Sequence, residues 1–290
     1  MSESGCIGFI GVGGIMGQGM ANNLAKAGRK MVVWNRSKHS VTEFCSRTGA
    51  SAAETPEDVI EKASVTYLML SDLNASRSVY EGESGILGAN LEGKFIVDCA
   101  TLTPERMKEI EGKVSSKKGI FLEAPVSGSK VPAANGTLIF LCGGNKALFE
   151  KAKPDLDLMG KASFYLGGVG KGSEMKLLVN MTMGSMISVL GEGLSLAEKC
   201  DIDQSQLLEV LDLGACANPL FKSKGPKMIA GDYAPNFPLK HAQKDMRFAI
   251  DLGDRVGQSL PMAASANELF KRVKNEQGDN DFAAVFEATK

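Results

Sequence analysis

The sequence predicts an α/β protein in two parts: a doubly wound, mostly parallel sheet over residues 1–167 and an all-α domain over residues 168–290, joined by one long helix. Three observations carry this expectation. Short β-rich runs alternate with helical stretches through the first half, and a glycine-rich turn follows the first run. After Gly167 the texture becomes helical, with no convincing strand.

Strands are expected at residues 6–10, 31–34, 65–70, 95–97, 120–122, 138–141 and 164–166. The central ones are apolar on both faces, as when helices cover both sides of a parallel sheet. Residues 173–199 form one long helix in which Met175, Leu177, Leu178, Val179, Met181, Met183, Met186, Ile187, Leu190 and Leu194 cover most of the circumference. That is the pattern of a buried helix. Its internal Gly184, Gly191 and Gly193 each cost about 1 kcal/mol relative to alanine, which close helix packing would offset. Shorter helices follow at 204–213, 240–252, 261–274 and 282–288.

A chain of 290 residues has the length of two domains sharing an interface. Its 33 Lys and Arg nearly balance 34 Asp and Glu, so no strong field favours nucleic acid or an anionic membrane, and an anionic ligand must be caught locally. The cysteines at 6, 45, 99, 142, 200 and 216 form no C-x-x-C pair and mostly have apolar neighbours, which fits reduced thiols. The opening MSESGC has no basic segment leading into an apolar stretch, and no uninterrupted apolar run is long enough for a bilayer. A cytoplasmic protein without membrane partners is expected. The two histidines, His39 and His241, supply neither a zinc cluster nor a triad, so no metal is expected.

The motif richest in chemistry is GFIGVGGIMGQGMANNLAKAG, a strand running into a glycine-rich turn that opens a helix. Glycines there let the backbone approach a pyrophosphate, whose charge meets free N–H groups and the helix dipole. Gly11, Gly13 and Gly17 are spaced G-x-G-x-x-x-G, one residue longer than the usual fingerprint, with Gly14 extra and Ile15 and Met16 in the same loop. After the second strand stand Asn35, Arg36 and Ser37. An acid there would serve the ribose of NAD, whereas Arg36 pairs with a 2′-phosphate and Ser37 donates to it, which favours NADPH.

Later loops offer Leu70-Ser71-Asp72 and Asp98-Cys99-Ala100-Thr101 at strand carboxyl ends, where open sheets bind ligands. In Ala124-Pro125-Val126-Ser127-Gly128-Ser129, the Ser127-Gly128-Ser129 stretch fits an anion nest for a carboxylate, and as a bare tripeptide fits a solvent loop equally. Lys176 follows the turn Gly167-Gly168-Val169-Gly170-Lys171-Gly172, and Asn180 lies one turn later on the same helix face. An ammonium beside a carbonyl oxygen can donate a proton as hydride arrives. Without further context, a lysine reaching from a helix end into water is the commoner arrangement.

In order, GFIGVGGIMGQGMANNL, VVWNRS, APVSGS, GVGKGSEMKLLVN and FPLKHAQKD resemble the β-hydroxyacid dehydrogenases over essentially the whole chain. SFYLG, DLGA and NPLFKSKGP bring it nearest to the glyoxylate and succinic semialdehyde reductases of that family. The resemblance implies an amino-terminal Rossmann domain, a helical carboxyl-terminal domain for substrate and oligomer contacts, and NADPH as hydride donor. Residues 8–23 would span the dinucleotide loop and helix, Arg36 and Ser37 would meet the 2′-phosphate, Thr101 would contact the nicotinamide half, and Lys244 would complete the cofactor site. Ser127, Gly128 and Ser129 would hold the substrate carboxylate. Lys176 matches the catalytic lysine, and Asn180, Phe237 and Asp245 match its active-site neighbours. The extra glycine departs from the family pattern, as does Ala100, where the family usually has serine.

The alternatives are a 3-hydroxyisobutyrate or tartronate semialdehyde type of dehydrogenase, against whose NAD-linked members Asn35-Arg36-Ser37 argues, and a catalytically dead relative that binds nucleotide or protein, against which Lys176 argues. Lys244 and Asp245, at adjacent helix positions, are not expected to pair. The apolar surplus of residues 173–199 points to a homo-oligomer.

Overall fold

Apolar runs too short for helices, each followed by a capped amphipathic segment, build the first of two compact units, residues 1–176 and 177–290. The computed structural model describes residues 5–290, so the first four residues of the MSESGC opening lie outside the described residues. In the first unit the strands are β1 (Ile7–Ile10), β2 (Met31–Trp34), β3 (Ser51–Ala52), β4 (Val65–Leu68), β5 (Phe95–Asp98), β6 (Ile120–Glu123), β7 (Val126–Ser127), β8 (Leu138–Gly144) and β9 (Gly160–Tyr165). Between them lie α1 (Ile15–Lys26), α2 (Lys38–Thr48), α3 (Pro56–Lys62), α4 (Leu73–Glu81), α5 (Pro104–Ser116), α6 (Lys130–Ala134) and α7 (Lys146–Met159).

The sheet order is β3-β2-β1-β4-β5-β6-β8-β7, with β9 on β8. Strands β1 to β6 are parallel, and β8 runs antiparallel to β6 and β7. The chain leaves β1 toward β2 on one side and returns to β4 on the other, so the strand order reverses beside β1, where open α/β sheets bind ligands. Strand alternation feeds two cores. Phe9, Val33, Tyr67 and Val97 pack with Met20 and Leu24 of α1, whereas Ile10, Val32, Leu68 and Ile96 pack with Ile60, Tyr80 and Ile110 of α3, α4 and α5. Side-chain caps start the covering helices: Asp72 accepts from Ala75 N–H, Thr103 from Arg106 N–H and Asn145 from Leu148 N–H.

Helix α8 (Lys171–Lys199) opens in the first unit and continues into the second, followed by α9 (Gln204–Leu213), α10 (Pro219–Ala230), α11 (Leu239–Val256), α12 (Pro261–Gln277) and a 3-10 turn (Phe282–Ala288). Sequence texture changes at Gly167, whereas the division into units falls after Lys176, because the first turn of α8 bonds to β6. In the second unit Ile187, Leu190 and Leu194 of α8 meet Met228, Leu239, Phe270, Val285 and Phe286.

The expectation that α8 is buried all round is corrected. Its 173, 176, 177, 180, 184, 187, 190 and 194 positions are buried, while Met175, Leu178, Val179, Val189 and Leu196 are exposed, because the chain supplies packing partners for one face only. By length and composition alone α8 is also apolar enough to cross a membrane, although Lys176, Asn180 and Glu192 interrupt its apolar run. Its inward face nevertheless belongs to a protein core. Gly184 meets the expected close packing, since a Cβ there would lie 2.4 Å from Met246 Sδ of α11, but Gly193 has nothing nearer than 3.9 Å.

Candidate functional site

The ligand loops predicted from sequence in the first unit all follow carboxyl ends of its parallel strands. Gly11 ends β1 with φ +101°, a left-handed setting that favours glycine, and a Cβ there would sit 2.2 Å from the Met69 carbonyl beyond β4. Gly17, in the first turn of α1, would bring a Cβ within 2.1 Å of the Gly11 carbonyl. Gly13 faces Asn35, whose Oδ1 accepts from Gly13 N–H at 3.2 Å. Gly14 differs: only the Gly11 carbonyl, 3.9 Å away, comes near its absent Cβ. Gly14, the N-cap of α1, is thus the one glycine of the turn that no close approach requires, whereas Gly11, Gly13 and Gly17 are each closely approached.

This cradle suits a dinucleotide phosphate. The first turn of α1 carries no acid, its leading N–H groups have no intrahelical partner, and its outer face is open at Gly14. Ile15 is exposed at the helix start, while Met16 turns inward against the core. Arg36 and Ser37 are exposed directly beyond β2, and Ser37, the N-cap of α2, makes no capping side-chain bond. Leu70 is buried, and the Ser71 hydroxyl donates to Asp72 at 2.7 Å.

Thr101 is half-buried, and beneath its loop Asp98 is fully buried. The Asp98 carboxylate accepts from Ala100 N–H and from the Tyr80 hydroxyl, both at 2.9 Å. Burial pushes its pKa up to about 6 against the lowering effect of those bonds. Ser127 lies not in a loop but in β7, opposite Ile139 of β8. A two-residue strand has no readable alternation, so only its partner defines it. Gly128 has φ +135°, and Ser129 is the residue before α6, with no capping bond from its hydroxyl. The three residues thus pass from β7 into α6, with the Ser129 carbonyl accepting from Ala133 N–H at 3.0 Å.

Lys176 is buried in α8, not reaching into water as a lone helix-end lysine would. The turn leading to it, residues 167–170, is held at the sheet: Gly144 N–H donates to the Gly167 carbonyl at 2.8 Å, and Gly170 N–H donates to Glu123 at 2.6 Å. Glu123 is fully buried, and burial pushes its pKa up to about 7, opposed by bonds from Ser173, Gly172 and Gly170. Sequence reasoning passed over Glu123, although a charged residue closing an apolar strand was the available signal.

In the second unit Asn180 is buried and donates from Nδ2 to Asp245 Oδ2 at 2.6 Å. Lys244 does pair with Asp245, Nζ to Oδ1 3.1 Å, and lies 5.2 Å from the Phe248 ring centre. The neighbour rule for helices concerns where side chains start, and the four-carbon lysine stem reaches round the backbone. Phe237 is half-buried, packed edge-on against Phe282 with centroids 5.6 Å apart. Its loop hangs on Asp281, which accepts from Phe237 N–H at 3.2 Å, Asn236 N–H at 3.0 Å and the buried Lys224 ammonium at 2.6 Å.

Residues 6–167 match a family model described as the NAD binding domain of 6-phosphogluconate dehydrogenase, and residues 170–289 match the NAD-binding model of NADP-dependent 3-hydroxyisobutyrate dehydrogenase. The chain is 50% identical over 285 residues to glyoxylate/succinic semialdehyde reductase 1 of Arabidopsis thaliana, covering 98% of each. It is 47% identical over 285 residues to the chloroplastic glyoxylate/succinic semialdehyde reductase 2 of the same plant, covering 98% of this chain and 79% of that protein. A solved 3-hydroxyisobutyrate dehydrogenase from Salmonella typhimurium has the same fold, with TM-score 0.88 at 23% identity over 98% of this chain and 99% of that one.

Proposed function

The chain belongs to the β-hydroxyacid dehydrogenase family, and on that premise we propose that it reduces the aldehyde carbon of small carboxylates with NADPH, converting glyoxylate to glycolate and succinic semialdehyde to 4-hydroxybutyrate. The observation that carries the reading is the burial of Lys176, one helical turn from an Asn180 amide fixed by Asp245. An ammonium withdrawn from water is retained where partners or chemistry hold it there, and one within reach of a reacting carbonyl can act as proton donor.

NADPH supplies the hydride when bound. Gly11, Gly13, Gly14, Ile15, Met16 and Gly17 would hold its pyrophosphate; Asn35, Arg36 and Ser37 its adenosine 2′-phosphate; Leu70, Ser71, Thr101 and Lys244 its remaining length. The exposed guanidinium of Arg36, with no acid at Asn35 or Ser37, favours the phosphorylated cofactor. Ser127, Gly128 and Ser129 would receive the substrate carboxylate, and in the second unit Asn180, Phe237 and Asp245 are the residues proposed to serve the substrate. As the carbonyl carbon is reduced, the Lys176 ammonium gives a proton to the developing alkoxide, and solvent restores it.

Several broader features accompany this reading. The division at 167/168 separates a nucleotide domain from a helical substrate domain. The exposed face of α8 borders an apolar groove of ≈ 540 Å³ lined by Met181, Met186, Val189, Phe221, Pro261 and Met262, which supports a homo-oligomer. Six free thiols, two of them fully buried, support a reducing, cytoplasmic setting, although only Cys99 and Cys142 are the core thiols expected of most of the six.

Absorbance at 340 nm, followed as oxidation of NADPH and NADH with glyoxylate and succinic semialdehyde and as reduction of NADP+ and NAD+ with 3-hydroxyisobutyrate-type hydroxy acids, tests the reading. NADPH-linked turnover of the first two is expected. Turnover confined to the last group would replace the substrate assignment.

A further inference from the structure

Glu123 closes β6 with no exposed surface, and its carboxylate faces the start of α8. Oε1 accepts from Gly170 N–H at 2.6 Å and from Gly172 N–H at 2.8 Å, and Oε2 accepts from the Ser173 hydroxyl at 2.6 Å. These donors are the residue that precedes α8 and two residues of its first turn, where N–H groups lack intrahelical partners and carry the positive end of the helix dipole. The approach is close. A Cβ at Gly172 would lie 2.3 Å from the Leu141 carbonyl and 3.2 Å from Glu123 Cδ, and one at Gly143 would lie 2.6 Å from Glu123 Oε1.

Thr103 and Asn145 cap α5 and α7 without charge, and the aspartates that cap α4 and α9, Asp72 and Asp203, are not buried. A fully buried carboxylate is a costly substitute, retained here at the one helix that carries Lys176. Ser173 and Lys176 lie on the same buried face, about 4.5 Å apart along the axis at 1.5 Å per residue. Fraying of the first turn would therefore pass directly into the setting of the lysine.

We propose that Glu123 is a positioning residue for the reduction: by clamping the first turn of α8 to the end of β6, it fixes the axial and rotational setting of the Lys176 ammonium. This rests on the reading of Lys176 as proton donor. Glu123 touches neither substrate nor cofactor in this role, so its removal should lower turnover through Lys176 and leave cofactor binding alone.

The test uses full-length protein carrying Glu123→Gln or Glu123→Ala, each alone and combined with Lys176→Ala, assayed for NADPH oxidation at saturating aldehyde. Glutamine keeps one accepting oxygen and should cost about 3- to 10-fold in kcat, alanine more than about 10-fold, with KM for NADPH within about twofold. In the Lys176→Ala background neither should lower turnover by more than about a further twofold, since the lost function is already gone. Single variants within about twofold of wild-type kcat, or the same factor lost again beside Lys176→Ala, would overturn the proposal. If the alanine variant does not fold, the glutamine pair decides on the same criteria. A fully active Lys176→Ala enzyme overturns the proton-donor reading and this inference together, whereas an inactive one beside indifferent Glu123 variants overturns this inference alone.

Discussion

Arg36 stands exposed one residue beyond the Asn35 side chain that receives Gly13 N–H, so its guanidinium is free of structural duty at the end of β2. Charge-assisted bonds to a phosphate contribute about 1.5–3 kcal/mol, so Arg36→Ala should weaken NADPH binding about 10- to 100-fold and leave NADH nearly unchanged, as fluorescence titration would register. Equal loss for both cofactors would remove the 2′-phosphate assignment. Asp98 and Glu123 set a second expectation. Both have folded-state pKa values raised by burial, to about 6 and about 7. The folded protein then holds protons that the unfolded chain has released, so their contribution is fully present below about pH 4 and is lost as pH rises through 6 and 7, with a slope of up to about 1.4 kcal/mol per pH unit for each proton. Urea midpoints measured from pH 5 to 8 should fall less steeply in Glu123→Gln than in wild type, and parallel curves would contradict the sign.

At the scale of elements, the glycine turn separates fold from function. Gly17→Ala forces a Cβ into the Gly11 carbonyl and should destabilise by more than about 2 kcal/mol, whereas Gly14→Ala enters open space and should shift stability by less than about 0.5 kcal/mol. Equal thermal shifts in the two would contradict this difference in close approach. These same elements show what the sequence could and could not reveal. Strand β2 and helix α9 have the expected bounds because β2 is an unbroken apolar run and Asp203 caps α9. Strands β3 and β7 have two residues each and exist only through pairing with β2 and β8. Helix α10 escaped because Gly225 and Pro226 read as breakers, although Asn218 and Pro219 are a legible cap and first residue. The candidate loops were readable because ligand loops follow strand ends. Their supports were harder to read: Glu123 showed only as a charged residue closing an apolar strand, and Asp281 and Lys224 act on groups brought near only by folding.

Across the whole molecule, the apolar residues of 173–199 divide between a face buried within the chain, with Leu177, Ile187, Leu190 and Leu194, and an exposed face with Leu178, Val189 and Leu196. The homo-oligomer proposed above would cover that exposed face. Light scattering should give a mass of at least two 30.7 kDa protomers, and Val189→Glu should lower it. A monomer at micromolar concentration would leave that face without its proposed cover.

The most direct measurement is steady-state turnover of glyoxylate with NADPH by Lys176→Ala beside the wild type, with NADPH affinity determined for both. A fall in kcat of about 100-fold or more at unchanged affinity is expected from loss of the one buried ammonium on α8. Turnover within a few fold of wild type would contradict the assignment of Lys176 as the proton donor, and with it the chemistry proposed for this site.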